Sequence, residues 1–272
     1  MIVAVLAATG RTVITARQWC LATAAETGAA LIMLARALAY TRAIGRSLPQ
    51  LRRQLDEAGF GSIVVLSLIA GLTGMIVAVQ TGSALQQFGV VDTLGAIVGA
   101  TFTREMGPLW AAVIVLARVG ASMAAEIGTM TVNEEVDALR AMSIDPVRYL
   151  VMPRIISLMV IMVLLTSIAD FVGMAGGALV AKQMYGVPVR TFMDSAQGLL
   201  IGLDIWAGLF KSLVFGVIIG TIACDRGLNT TNGAEGVGRS TTATVVRALV
   251  FMLVVNYVLS TVTEKVLRPW LT

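Results

Sequence analysis

Five long apolar stretches alternate with short polar ones along this chain, at about 61–81, 95–125, 153–181, 202–223 and 244–263. A membrane-crossing helix needs roughly 20 mainly apolar residues, so each stretch predicts one transmembrane helix. The second and third are longer than one bilayer crossing and must tilt, break or protrude. The first 45 residues read differently. Arg11, Arg17, Glu26, Arg36 and Arg42, with Arg46 just beyond, interrupt their apolar runs. That pattern predicts an amphipathic helix lying in the interface, with Trp19 and the leucines buried and the arginines among the headgroups. Met1–Ala8 is apolar but has no basic region ahead of it, so a cleaved signal peptide is not expected.

Between the second and third apolar stretches lies a dense polar island, residues 126–154. It carries Glu126, Glu134, Glu135, Asp137 and Asp145 beside Arg140, Arg148 and Arg154. Thr131 and Glu134 have the spacing of a capping box, in which each side chain satisfies a backbone donor at a helix start. Val132, Val136, Leu139 and Met142 or Ser143 recur at helical spacing, with the acids and Arg140 opposite them. Asp145-Pro146 is expected to end the helix, because the residue before proline is pushed out of helical geometry. The island therefore predicts a short amphipathic helix, about 131–145, whose acidic face suits docking to a soluble partner; a plain polar connector would need neither its length nor its cap.

Composition fixes the class. Hydrophobic residues make up 57% of the chain, only 13% are charged, and mean hydropathy is +0.86, which marks an integral membrane protein. Basic residues set the orientation. The N-terminal region, the 126–154 loop and the 224–243 loop hold twelve arginines, whereas the opposite side holds Lys182, Arg190, Lys265 and Arg268. The N-terminus and the acidic helix are thus expected in the cytosol and the C-terminus on the far side. The pI of 9.4 reflects this topology and carries no implication of nucleic-acid binding. Cys20 and Cys224 lack metal-type spacing, and the chain has no histidine, so neither a disulfide nor a metal site is expected.

Four basic residues, Arg104, Arg118, Lys211 and Arg247, fall inside the apolar stretches. Charge inside a membrane is costly enough to imply a cavity, a pathway or a buried partner. Arg104, Pro108, Ala111, Val115, Arg118, Ser122 and Ala125 share one helical stripe, small or polar throughout, which reads as an interior face. Adjacent Arg104 and Glu105 diverge by roughly 100° on a helix and do not face each other. Pro108 removes a backbone hydrogen bond just after them. Two roles are open to the pair. Arg104 can hold a phosphate through its planar donors, or the charges can form interhelical bridges such as Arg104 with Asp170 and Glu105 with Lys211. Gly208, Ser212, Gly216 and Gly220, like Gly173 and Gly177, recur every fourth residue and predict close helix packing, within one chain or between two.

No GxxxxGK[ST] occurs and no histidine is present to activate a nucleophile, so the chain is read as a non-enzyme; ATP-driven work would need a partner chain. The run AAEIGTMTVNEEVDALRAMSIDPVRYLVMPR at 124–154 resembles the signature of the MlaE/YrbE permeases of MCE-type lipid ABC transporters. TFTREMGPLWAAVIVLARVGASM at 101–123, GMIVAVQ at 74–80 and GRSTTATVV at 238–246 extend the likeness. It implies an all-α integral membrane protein with an N-terminal interfacial region over 1–54 and a permease domain over 55–272. It further implies a homodimer, two ABC ATPase subunits on the cytosolic side, an MCE-domain lipid-binding protein on the outer side and a STAS-domain accessory protein. No cofactor binds directly; ATP acts through the ATPase. The resemblance assigns ATPase coupling to Glu134, Glu135, Asp137, Leu139, Arg140, Met142, Asp145 and Pro146. It assigns a phospholipid pocket at the dimer interface, open outward, to Arg104, Glu105, Gln80, Met75 and Pro108. Some members have an arginine where this chain has Ala243. The reading is a phospholipid permease of the inner membrane of a double-membraned bacterium, multi-pass, N-terminus cytosolic and C-terminus periplasmic. The alternatives are a permease importing a small hydrophilic solute, or an ion-coupled carrier using Arg104, Glu105 and Asp170.

Overall fold

A computed structural model describes residues 28–40 and 48–267. Trp19 and most of the expected interfacial segment lie outside the described residues. All regular structure among those residues is helical, and five helical stretches are long and apolar enough to cross a membrane, which makes this a multi-pass membrane protein. They are Gly61–Gln87, Val91–Val132, Val147–Tyr185, Gly202–Leu228 and Gly233–Val266.

A short apolar helix, α1 (Gly28–Ala39), precedes them. Helix α2 (Leu48–Gln87) runs unbroken across the boundary expected at residues 54 and 55. The second stretch comprises α3 (Leu94–Thr101), α4 (Gly107–Val115) and α5 (Ala121–Val132), joined by π turns at Phe102–Met106 and Leu116–Gly120. Helix α6 (Glu135–Ala141) comes next, then a π turn at Val147–Val151 leads into α7 (Met152–Tyr185). After α8 (Val189–Leu199) come α9 (Gly202–Leu228) and α10 (Gly233–Val262). Helix α6, the 229–232 turn and α1 gather at one end, where Tyr40 Oη donates to Asp145 Oδ2 at 2.9 Å and Thr131 Oγ1 lies 3.2 Å from Gly227 O. Helix α8 sits at the other end, burying Phe192 and Ala196 against the glycine face of α3.

The small-residue stripes are seams within the chain. A Cβ on Gly74 would strike the backbone of Gly173, and one on Gly176 would strike that of Gly71, so α2 and α7 cross with their backbones in contact. On α9, Gly208 faces the Thr103 carbonyl and Gly216 faces Leu158. Where lipid removes any hydrophobic drive between helices, such close approach supplies the dispersion contacts that hold them.

Two sequence expectations fail here for identifiable reasons. The interior stripe holds only as far as Val115: Arg118 and Ser122 are exposed. Each π turn inserts a residue into the helical repeat and rotates the rest of the helix, so positions spaced for one face at Arg104 leave it after Leu116–Gly120. The helix expected over about 131–145 is also shorter, and its capping box is absent. Thr131 still belongs to α5 and donates its hydroxyl to Ile127 O at 2.9 Å. Glu134 adopts a left-handed backbone, φ 61°, and makes no side-chain cap. Helix α6 ends at Ala141, and Asp145 starts the next helix instead of ending this one, its Oδ1 accepting from Val147 N at 2.9 Å.

Candidate functional site

A charged cluster lies inside the bundle, toward the α8 end, where the first π turn meets α9 and α10. Pro108 cannot return an N–H to the carbonyl of Arg104, four residues earlier. Lys211 Nζ fills that gap, donating to Arg104 O at 2.9 Å, to Glu105 Oε1 at 2.7 Å and to Ser260 Oγ at 2.8 Å. An ammonium has three donors, and here all three are used. Glu105 is held from α10 as well: Ser260 Oγ lies 2.7 Å from Oε1, and Asn256 Nδ2 donates to Oε2 at 3.0 Å.

Arg104 points the other way, as adjacent helical positions must, toward the start of α9. Its Nη2 donates to Asp204 Oδ2 at 3.0 Å, and its Nε stands 2.9 Å from Oδ1, off line for a hydrogen bond. Asp204 also accepts from Ile201 N at 3.1 Å, so one buried carboxylate both opens α9 and anchors Arg104. The Glu105–Lys211 bridge matches the sequence expectation, whereas Arg104 pairs with Asp204 and not Asp170. Asp170 instead stands against Gly107, its buried Oδ1 without a hydrogen-bond partner. The cluster is not sealed: the Arg104 and Glu105 side chains are 24% and 36% exposed, while Lys211 is only 4% exposed.

The other expected pocket residues divide. Pro108 is buried beside Gly208, next to the cluster. Met75 packs half-buried on the core from α2 and Gln80 is exposed on that helix; neither hydrogen-bonds to the cluster. Ala243 lies on α10 thirteen positions before Asn256, ~20 Å away along the axis, so the departure there does not touch this cluster. Sequence reasoning missed Asp204, Asn256 and Ser260. The last two carry a signal: a polar pair spaced i, i+4 in an otherwise apolar run.

At the α6 end, Glu134, Glu135, Asp137, Arg140 and Met142 are exposed, with Val136 buried beneath them and Leu139 half-buried. Asp137 and Arg140 pair at 2.7 Å across one turn. Asp145 is half-buried and Pro146 buried, so these two anchor the loop and are not part of its outer face. Glu126 is drawn away from that face, bridging to buried Arg154 at 2.7 Å. Tyr40 closes the loop's inner side, and the Asp145 carboxylate that accepts its proton holds the phenol pKa above its ordinary value.

Residues 51–262 match a family described as Permease MlaE. A probable ABC transporter permease protein of Synechocystis sp. is 42% identical over 207 residues, covering 76% of this chain and 79% of the relative. One of Rickettsia prowazekii is 39% identical over 214 residues, 79% of this chain and 83% of that protein. Protein TRIGALACTOSYLDIACYLGLYCEROL 1, chloroplastic, of Arabidopsis thaliana is 38% identical over 208 residues, 76% of this chain and 59% of the plant protein.

Proposed function

The chain belongs to the MlaE permease family, and from that premise we propose that it moves phospholipid, powered by ATP hydrolysis in a separate partner. As a permease it is a membrane subunit and not itself an enzyme. The observation that carries the lipid reading is the juxtaposition of the part-open Arg104–Glu105 cluster with an open apolar face. Beside Asn256 and Ser260, α10 exposes Val254, Tyr257 and Val258. Charge next to exposed hydrocarbon suits an amphiphile with a polar head and apolar tails; a small hydrophilic solute would leave that face wet. The Arabidopsis relative, whose name is that of a galactosylated diacylglycerol, is consistent with a glycerolipid substrate.

A second copy of the chain covers the α10 face, and the pocket lies between the two. The acidic outer face of α6 docks the ATPase. The arginine-rich end faces the cytosol, and the α8 end faces the periplasm, where an MCE-domain protein exchanges lipid; a STAS-domain protein joins the cytosolic side. The membrane is the inner membrane of a double-membraned bacterium.

Bound phospholipid per folded dimer, measured with the melting temperature, tests the pocket. Arg104→Glu sets like charge against both phosphate and Asp204, so lipid and stability should fall together. Arg104→Lys should be intermediate, keeping charge but losing the planar fork. Exchanging the partners, Arg104→Asp with Asp204→Arg, keeps the bridge; lipid lost at an unchanged melting temperature would then isolate the headgroup role. Full lipid occupancy in a stable Arg104→Glu dimer would rule it out.

A further inference from the structure

Of the two cations in the embedded cluster, Arg104 alone has donors to spare. Lys211 uses all three of its own on Arg104 O, Glu105 and Ser260. A guanidinium carries five N–H donors, and Arg104 gives one side of its fork to Asp204. Its Nη2 donates to Oδ2 at 3.0 Å, and its Nε faces Oδ1 at 2.9 Å. Nη1 has no hydrogen-bond partner and, unlike Nε, is not buried. A phosphate taking the open Nη1/Nη2 edge therefore meets Asp204 across the shared Nη2, one anion against the other.

Asp204 keeps its place without Arg104. It lies in the first turn of α9, where its Oδ2 also accepts from Ile201 N at 3.1 Å. Its own N–H donates back to Ile201 O at 2.8 Å. The positive end of the helix dipole favours a carboxylate at that position. Arg104 has no such second support for its charge, since Asp204 is its sole carboxylate partner. A bare guanidinium inside a membrane is costly, and one facing no competitor would hold a phosphate too firmly. Transport needs a site strong enough to load and weak enough to empty.

We propose that Asp204 is a resident counter-ion for Arg104, giving up the guanidinium as a lipid phosphate loads and reclaiming it as the lipid leaves. The phosphate enters at Nη1, then weakens the hold of Asp204 on Nη2, so the cation is never left bare. The role rests on the phospholipid reading above and adds to it a residue that sets how fast the site empties.

The test measures affinity and release of phosphatidylglycerol with a fluorescent acyl chain, using full-length protein in detergent. Asp204→Asn keeps the size and the acceptor for Ile201 N but removes the charge. It should tighten binding about tenfold, a modest share of the repulsion between two anions on one guanidinium, and do so mainly by slowing release. Asp204→Ser, a smaller acceptor, should shift both in the same direction. Arg104→Gln should shed the lipid, and adding Asp204→Asn to it should change the residual affinity less than twofold. Diacylglycerol with the same fluorescent chain, which lacks the phosphate, should be indifferent to Asp204. Excess inorganic phosphate should leave the lipid in place.

Weaker binding in both Asp204 variants would overturn the proposal. At an unchanged melting temperature it would show that Asp204 aims Arg104, and at a lowered one that it only supports the fold. An equal shift for diacylglycerol, or displacement by free phosphate, would overturn it too. Full lipid retention by Arg104→Gln would sink the phospholipid reading of the cluster and this role with it. Lipid shed by Arg104→Gln but not held tighter by Asp204→Asn would remove the counter-ion role alone.

Discussion

Lys211 ties the embedded cluster together, satisfying at once a carbonyl orphaned by Pro108, the Glu105 carboxylate and the Ser260 hydroxyl. Removing one partner of a buried ion pair costs more than removing both, because the survivor keeps its desolvation penalty. Lys211→Met should therefore destabilise the protein by about 2 kcal/mol; the ~3–5 kcal/mol of a fully buried pair is reduced because Glu105 is partly exposed. Adding Glu105→Gln should recover part of the loss. Thermal melting in one detergent checks both variants, and a double mutant no more stable than the single would mean that Glu105 does not depend on Lys211. Gly107→Ala probes the neighbouring site: its methyl group would collide with the Asp170 carboxylate. An overpacking loss of about 1–3 kcal/mol is expected. The sequence offered Glu105 with Lys211 as one possible bridge, because both fall within apolar stretches. It did not offer Asp204, since an acid near the start of a span looks like ordinary helix-end chemistry until the chain folds it back onto Arg104.

Helix α6 has only seven residues, and left-handed non-glycine residues flank it on both sides, Glu134 at φ 61° and Ser143 at φ 60°. That conformation costs roughly 1–2 kcal/mol for an L-residue, so tertiary contacts hold the turn: Val136 beneath the helix and the Tyr40–Asp145 bond behind it. Ser143→Gly should raise the melting temperature, by about 1 kcal/mol in free energy, without altering the acidic face. Reversing that face with Glu134→Lys and Glu135→Lys should detach the ATPase, because a complementary groove is now repelled. Both side chains are exposed, so insertion and folding should be unaffected. Undiminished co-purification of the ATPase with the double variant would remove α6 from the docking surface. An amphipathic segment was readable from periodicity; its true ends were not, because Thr131 found a helical carbonyl to bond before it could serve as a cap.

Across the whole molecule the spans are buried unevenly. In the apolar window of α10 only 11% of residues are buried inside the chain, against 56% for Gly202–Leu228. Val250, Val254, Tyr257 and Val258 form an open face down that helix. If a second copy packs there to complete the pocket, as proposed, Val254→Arg should shift the protein from dimer to monomer, read by light scattering after size exclusion. Unchanged dimer mass would move the interface to another face. The glycine seams of α2, α7 and α9 are already occupied within one chain.

Sequence alone determined the class, the five spans and the place of the polar island. Lipid imposes one strong rule, roughly 20 apolar residues with every backbone group paired internally, and that rule is local. The family resemblance was equally readable, because its motifs are contiguous. Tertiary structure decided what depends on rotation and on distance along the chain. The π turn at Leu116–Gly120, invisible to any regular period, carried Arg118 and Ser122 off the interior face. Contacts more than 100 residues apart chose Lys211 as the partner of Glu105, and one 100 residues apart chose Asp204 for Arg104. The choice among several possible carboxylates turns on which helix ends meet, and that is a property of the packed bundle.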